Sequence, residues 1–346
     1  MICALCLEEK QPRPNTHYFS DFLIKNALNE DGKSDREKGM YWSIDTESPT
    51  VDFNFQRNAS PIKLEKLFGR QTTDEENEKS KSQIIYSVND KFCTRCEDKF
   101  GTIETAFQEQ VLPKFRGANL ENVTQVQLSV DESRAMRLFA LLQIWRGYIC
   151  EEDILLSDEV ADYLRGKIFN EDNTDLEEIP LSATYLETSR PEGDVNGDAY
   201  KTGNSILVNH HANINHLLLN DFLFQQTEHL HVPFDEFFGF NTEDDYVDLF
   251  NYQSPSFDVK IIPDSQRRIK NYNYHSYTAK KLMATTYWTF LDNYTLTFKK
   301  LPSDREVATF MSEVANSEDM LRFTDERLRE REAHFFKRVK NEEFRN

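Results

Sequence analysis

Five cysteines carry the strongest chemical signal in the chain: Cys3, Cys6, Cys93, Cys96 and Cys150. The first four form two CxxC pairs, Cys3-Ala4-Leu5-Cys6 and Cys93-Thr94-Arg95-Cys96, with 86 residues between them. A CxxC turn aims two thiolates at one point, and two such turns complete a tetrahedral four-sulfur zinc site. Zinc held this way would tie the start of the chain to residue 93 and add folding energy to the unit between. Two disulfides or thioredoxin-like redox pairs use the same residues. Neither pair sits between a strand and a helix with a Gly/Pro-rich turn, and Met1 leads straight into Cys3 without a secretion signal. Structural zinc is therefore the expectation. Cys150 ends an apolar helical stretch and reads as a small buried hydrophobe.

The residues after each pair add to the reading. Asn15-Thr16-His17-Tyr18-Phe19 leads into Asp21-Phe22-Leu23-Ile24, and Asn89 precedes Cys93 by four positions. Glu97 follows Cys96 directly, with Phe100, Glu104 and Phe107 at helical spacing. A cysteine knuckle, a His-bearing strand and a second knuckle opening a helix resemble the treble-clef zinc unit of HNH-type endonucleases. The resemblance is nearest to a branch of uncharacterised bacterial proteins with a Ser/Thr-His step, a closing CxxCE and a Phe…Trp-Arg helix. Here those are Thr16-His17, Cys93–Glu97 and Phe139…Trp145-Arg146. About the first 150 residues are covered.

The resemblance implies phosphodiester hydrolysis, of the kind used in bacterial defence. His17 would be the general base on an attacking water, supported by Asn89, and Glu97 a hard oxygen ligand for catalytic Mg²⁺ or Mn²⁺. Thr16 and Glu97 depart from the family's charged first ligand and closing His. Each residue also has a plainer reading. His17 lies in an aromatic stretch and suits a packed structural histidine, Glu97 suits the first turn of a helix, and Asn89-Asp90 suits a turn.

Between the knuckles, residues 25–90 read as an insert. Asn29 to Ser34 is polar, while Met40–Ile44 and Val51–Phe55 alternate like strands. Arg57, Lys63, Lys66 and Arg70 make the one locally basic segment of the front third, placed to grip phosphates. The same residues equally describe an amphipathic helix with Ile62, Leu64, Leu67 and Phe68 inward. Thr72 to Ser82 has almost no apolar residue and is expected to be a loop.

Beyond residue 116, apolar spacing predicts a helix from Asp131 to Cys150, starting near Asp131 or Ser133. A second helix is predicted after Ser157-Asp158-Glu159. Loops at 171–180 and 190–204 flank a strand at 182–188, and Ile214 to Phe224 reads as a hairpin turning at Asn220-Asp221. Ser205–Val208 and Phe257–Ile262 complete a small antiparallel sheet. Helix resumes from Tyr277, and Asn316 to Lys340 reads as one long charged helix. His210, His211, His216, His229 and His231 raise a second metal site, but their spacing fits edge-strand and loop histidines better.

The 346 residues divide as a zinc-stapled domain (1–116), a helical segment (117–180) and a mixed α/β domain (181–346). The fold class is α+β: a treble-clef, ββα-metal-like zinc unit, then helices and a small antiparallel sheet. Net charge is −19, and residues 1–116 hold 17 Lys+Arg against 20 Asp+Glu, which leaves most acidity to the rest. Nucleic acid therefore needs a local basic patch, and the acidic C-terminal part suits a protein partner. No GxxxxGK[ST] or GxGxxG loop occurs, and no run approaches the 18 apolar residues of a membrane span. A cytoplasmic protein is expected. Two functions fit: an HNH-like endonuclease, or a non-catalytic zinc module for interactions with a degenerate site.

Overall fold

The computed structural model describes residues 1–28, 40–44, 50–55, 60–82, 84–187, 206–211, 213–229 and 251–343. Arg57, His231, the polar stretch 29–34 and the loop 190–204 lie outside them. The chain is mixed α+β and divides into two compact units, Met1–Asp35 with Ile84–Tyr272, and Arg36–Gln83 with Asn273–Asn346. The second unit holds 21 Lys+Arg and 21 Asp+Glu. The whole net charge of −19 thus falls on the first unit, which carries the cysteines (20 against 39).

In the first unit, two-residue strands Thr16–His17 (β1) and Ser87–Val88 (β4) pair antiparallel. Asp21–Leu28 forms helix α1 and Thr94–Gln110 helix α4. Val130–Cys150 (α5) is the central element: Ala135 through Gly147 is buried without a break. A helix buried on all sides belongs inside a core rather than on its surface. Its start lies earlier than expected, because Ser129 and Glu132 form a capping box, Ser129 N–H donating to Glu132 Oε2 at 2.9 Å. Ser133 instead bonds back within the helix, Oγ to the Ser129 carbonyl at 2.6 Å. Asp158–Asn170 (α6) is capped by Ser157, whose oxygen accepts from Val160 N–H.

The sheet is larger and more mixed than the sequence implies. Gln125–Leu128 (β5), Leu181–Leu186 (β6), Ile206–His211 (β7), Ile214–Leu219 (β8), Phe222–Thr227 (β9) and Phe257–Ile262 (β10) run in the order β5-β10-β6-β9-β8-β7. The β8–β9 hairpin turns at Asn220-Asp221 as expected, with Asn220 left-handed at φ 62°. β10 runs parallel to β6, which corrects the purely antiparallel reading. Short-range spacing cannot reveal a pairing between strands some 75 residues apart. One face of the sheet meets α4 and α5 through aromatic rings. Phe107 stacks on Phe139 at 3.9 Å between centroids, and Phe222 meets Phe107 edge-on at 5.7 Å. Each such pair adds about 0.5–1.5 kcal/mol beyond area burial.

The second unit joins the insert to the end of the chain. Met40–Ile44 (β2) and Val51–Phe55 (β3) form an antiparallel hairpin. Pro61–Phe68 (α2) begins with Ser60 accepting from Lys63 N–H and ends at left-handed Gly69, φ 65°. Asp74–Ser82 is a helix (α3), not the expected loop. Thr73 and Glu76 cap it reciprocally, at 3.2 and 2.8 Å, and acidic residues fill the first turn. Capping and dipole terms thus start a helix that apolar periodicity alone would miss.

Asp264–Phe298 (α7) starts well before Tyr277, its first turn fixed by Asp264 pairing with Arg267 and Arg268. Asp304–Ala315 (α8) follows it, and the charged helix expected from Asn316 starts only at Asp325 and runs to Glu343 (α9). Phe290, Tyr294, Phe310, Val314, Leu328, Phe335 and Val339 form their shared core. Val51 N–H donates to the Phe323 carbonyl at 2.8 Å, and Arg327 to the Phe68 carbonyl at 3.1 Å.

Candidate metal centre

Cys3, Cys6, Cys93 and Cys96 converge, their sulfur atoms all within 4.8 Å of one another. Backbone hydrogen bonds build this convergence. Cys3 N–H donates to the Glu8 carbonyl at 3.0 Å and Leu7 N–H to the Cys3 carbonyl at 2.9 Å, with Leu7 left-handed at φ 57°. Ala4 N–H reaches the Lys91 carbonyl and Arg13 N–H the Phe92 carbonyl, both at 2.9 Å, so the first knuckle lies along the second. Cys93 sits at the N-terminus of α4 and Cys96 in its first turn, with Cys96 N–H on the Cys93 carbonyl at 3.0 Å.

Four soft thiolate donors at these separations suit a tetrahedral ion, whose Zn–S bonds of about 2.3 Å set sulfurs about 3.8 Å apart. The cluster could therefore hold a metal ion such as zinc. The thiols are not equally ready to ionise. Burial, then its hydrogen bonds with Cys93 and Cys3, push the Cys96 thiol far above the ordinary value. Burial raises Cys6 as well. At Cys3 burial is outweighed by hydrogen bonds from the backbone of Cys6, Cys93 and Leu5, and the thiol falls below its usual range. A cation supplies what lets four neighbouring thiols ionise together.

His17 stands on β1 opposite Ser87, half-buried, with Nε2 4.0 Å from Asp21 Oδ1. Thr16 is buried and donates through Oγ1 to the Arg13 carbonyl at 3.1 Å. Asn89 accepts from Asn15 N–H at 2.7 Å, which fixes the turn just before β1. Glu97 lies in the first turn of α4. Burial pushes its carboxyl up to about 7, against the pull of Arg146 and Arg13 and with the push of Glu104 and Asp98.

Arg146 from α5 links these elements. Its guanidinium lies over Phe100 at 5.0 Å, pairs with Glu104 at 2.6 Å and donates to the His17 carbonyl at 3.4 Å. Ser20 Oγ donates to Glu104 at 2.6 Å and Ser20 N–H to Gln143 Oε1 at 3.0 Å. Of these partners, Gln143 and Ser20 were not singled out by the sequence. The available signal was the cluster of polar residues, Arg137, Gln143 and Arg146, inside an otherwise apolar helix.

Lys63, Lys66 and Arg70 lie in the second unit, on and just after α2. Lys66 is exposed, whereas Arg70 forms a two-pronged ion pair with Glu76 at 2.6 and 2.9 Å and rests on Phe68. Among the described residues, the four cysteines are the only cluster of His, Cys, Asp or Glu arranged to hold a metal. His216 is fully buried and meets Gln225 Nε2 at 3.0 Å through Nδ1. Burial, reinforced by His211 and His210, lowers it to about 3. Among the described residues, no helix is long and apolar enough to cross a membrane. Comparison with protein-family models, curated proteins and solved structures finds no match to this chain.

Proposed function

We propose that the protein acts on nucleic acid as an HNH-like endonuclease, with a zinc-stapled treble clef presenting His17. One observation carries the reading: the first knuckle, the β1–β4 pair and the second knuckle opening α4 recur in that order around one four-cysteine cluster. His17 falls on the first strand of the pair. Zinc, held by Cys3, Cys6, Cys93 and Cys96, would pin β1 against the start of α4 and take no part in bond cleavage.

In this reading His17 accepts a proton from the water that attacks phosphorus. Asn89 orients the turn that enters β1. Arg13, exposed and 3.9 Å from Asp98, is a cation beside the first turn of α4 suited to a phosphate oxygen. Among the described residues no second cation site for Mg²⁺ or Mn²⁺ is assembled. Thr16 is committed to the Arg13 carbonyl and Glu104 to Arg146, which leaves Glu97 without companion ligands among the described residues.

A second reading draws on charge. The unit carrying the site bears the whole net charge of −19, and near the knuckles Lys10 and Arg13 face Glu8 and Asp98, so this unit as a whole repels phosphate. A non-catalytic zinc module that binds a basic protein partner fits that balance. Nicking of supercoiled plasmid by wild type and His17→Ala, with Mg²⁺, with Mn²⁺ and with chelator, separates the two. Cleavage lost in His17→Ala at unchanged zinc content supports the nuclease; absence of cleavage of both plasmid and RNA by wild type removes it.

A further inference from the structure

We infer that Arg146 is the positioning residue of the His17 site, an inference that rests on the nuclease reading only for its catalytic readout. β1 has two residues and one two-residue partner, far too little ladder to fix a side chain by itself. The segment 17–20 is instead held from α5. Arg146 Nη1 donates to the His17 carbonyl at 3.4 Å, Gln143 Oε1 accepts from Ser20 N–H at 3.0 Å, and Tyr18 Oη donates to Glu151 Oε1 just past the helix end. Arg146 Nη2 further reaches Glu104 Oε1 at 2.6 Å, Ser20 Oγ at 3.2 Å and Gln143 Oε1 at 3.2 Å.

The side chain is 2% exposed and its guanidinium lies over Phe100, so packing restricts its fork. One rigid group thus ties the strand bearing His17 to the helix bearing Glu97 and Cys96. Buried pairs of this kind gain little stability over apolar packing of equal volume, so what Arg146 supplies is geometry. Lysine is a poor substitute: its single ammonium lacks the planar fork whose Nη1 serves the His17 carbonyl and whose Nη2 serves Glu104.

The test uses the full-length zinc-loaded chain labelled at histidine. Imidazole resonances of His17, assigned by their loss in His17→Ala, are followed in Arg146→Lys alongside zinc content, melting temperature and plasmid nicking. The expected result is an unchanged zinc content with displaced His17 resonances, and turnover reduced roughly tenfold or more at unchanged KM. Ser20→Ala removes two of the hydrogen bonds and leaves Arg146 in place. It should move the same resonances less, and it carries the test if Arg146→Lys loses zinc. A folded, zinc-loaded Arg146→Lys with wild-type His17 resonances overturns the proposal. If wild type does not nick, the nuclease reading fails alone, and the resonances still decide the role of Arg146.

Discussion

Arg116 grips Asp221 with two parallel hydrogen bonds, Nε to Oδ2 at 2.6 Å and Nη2 to Oδ1 at 2.8 Å. The third arm of the same guanidinium, Nη1, donates to the Phe22 carbonyl at 3.0 Å. One side chain therefore joins α1, which follows the His17 strand, to the turn of the β8–β9 hairpin. Asp221 is 1% exposed, so its charge has little water to fall back on. Arg116→Ala strands that carboxylate and should cost about 3–5 kcal/mol. Asp221→Asn, which keeps the shape and one acceptor, should cost less. Urea midpoints of the two variants measure the difference; equal midpoints within error would refute the argument.

Gly147 is a second joint of the same unit. A Cβ built there would lie 2.4 Å from Ile154 Cδ1 and 3.5 Å from Phe19 Cε1. Ile154 is buried, 1% exposed, so its methyl has little room to retreat. Gly147→Ala should destabilise by about 1–3 kcal/mol despite the higher helix propensity of alanine. Ile154→Val removes the clashing methyl. The double variant should therefore recover most of the loss, a coupling of roughly 1 kcal/mol measurable in a double-mutant cycle.

The legible parts of the sequence were those governed by local rules. The two CxxC pairs, the Ser157 cap and the Asn220-Asp221 hairpin each depend on a few neighbouring residues, and each appears at its expected place. Readings failed where polar capping outweighs apolar periodicity, and where a distant partner decides. α3 is helical through the Thr73–Glu76 cap, and Arg70 folds back on Glu76 instead of facing outward. The insert joins the C-terminal part of the chain through links such as Val51 to Phe323 and Arg327 to Phe68, which no local pattern encodes. At the candidate site, His17 and Glu97 were visible as residue types. The Ser20 and Gln143 contacts that hold their elements were not, because hydrogen bonds between residues more than 120 positions apart leave no periodic trace.

His216 supplies a pH dependence with a definite sign. Burial holds its folded value near 3, below the ordinary 6.5. The unfolded chain therefore binds a proton that the folded one refuses. Its contribution to stability is complete above about pH 6.5 and is lost as pH falls toward 3, at up to about 1.4 kcal/mol per pH unit. His216→Gln, which cannot titrate, should show a shallower fall in stability between pH 6 and 4 than wild type. Parallel stability profiles for the two proteins over that interval would show that His216 does not control it.

The metal gives the sharpest expectation. One zinc per chain should copurify, and Co²⁺ exchanged into its place should show the intense visible bands of a tetrahedral four-thiolate site. Cys96→Ser removes a ligand at the first turn of α4 and leaves three thiolates around a buried cation. Zinc content should fall below one half, and protease sensitivity should rise in Met1–Arg13 and around Lys91–Cys96, where the knuckle contacts fix the backbone. The second unit has its own aromatic core and should keep its protease resistance. Cys150→Ser makes the control. Its thiol is raised to about 12 by burial and lies outside the four-cysteine cluster, so zinc content should not change. Equal zinc loss from both serine variants would mean that the metal depends on general packing and not on the four converging thiolates.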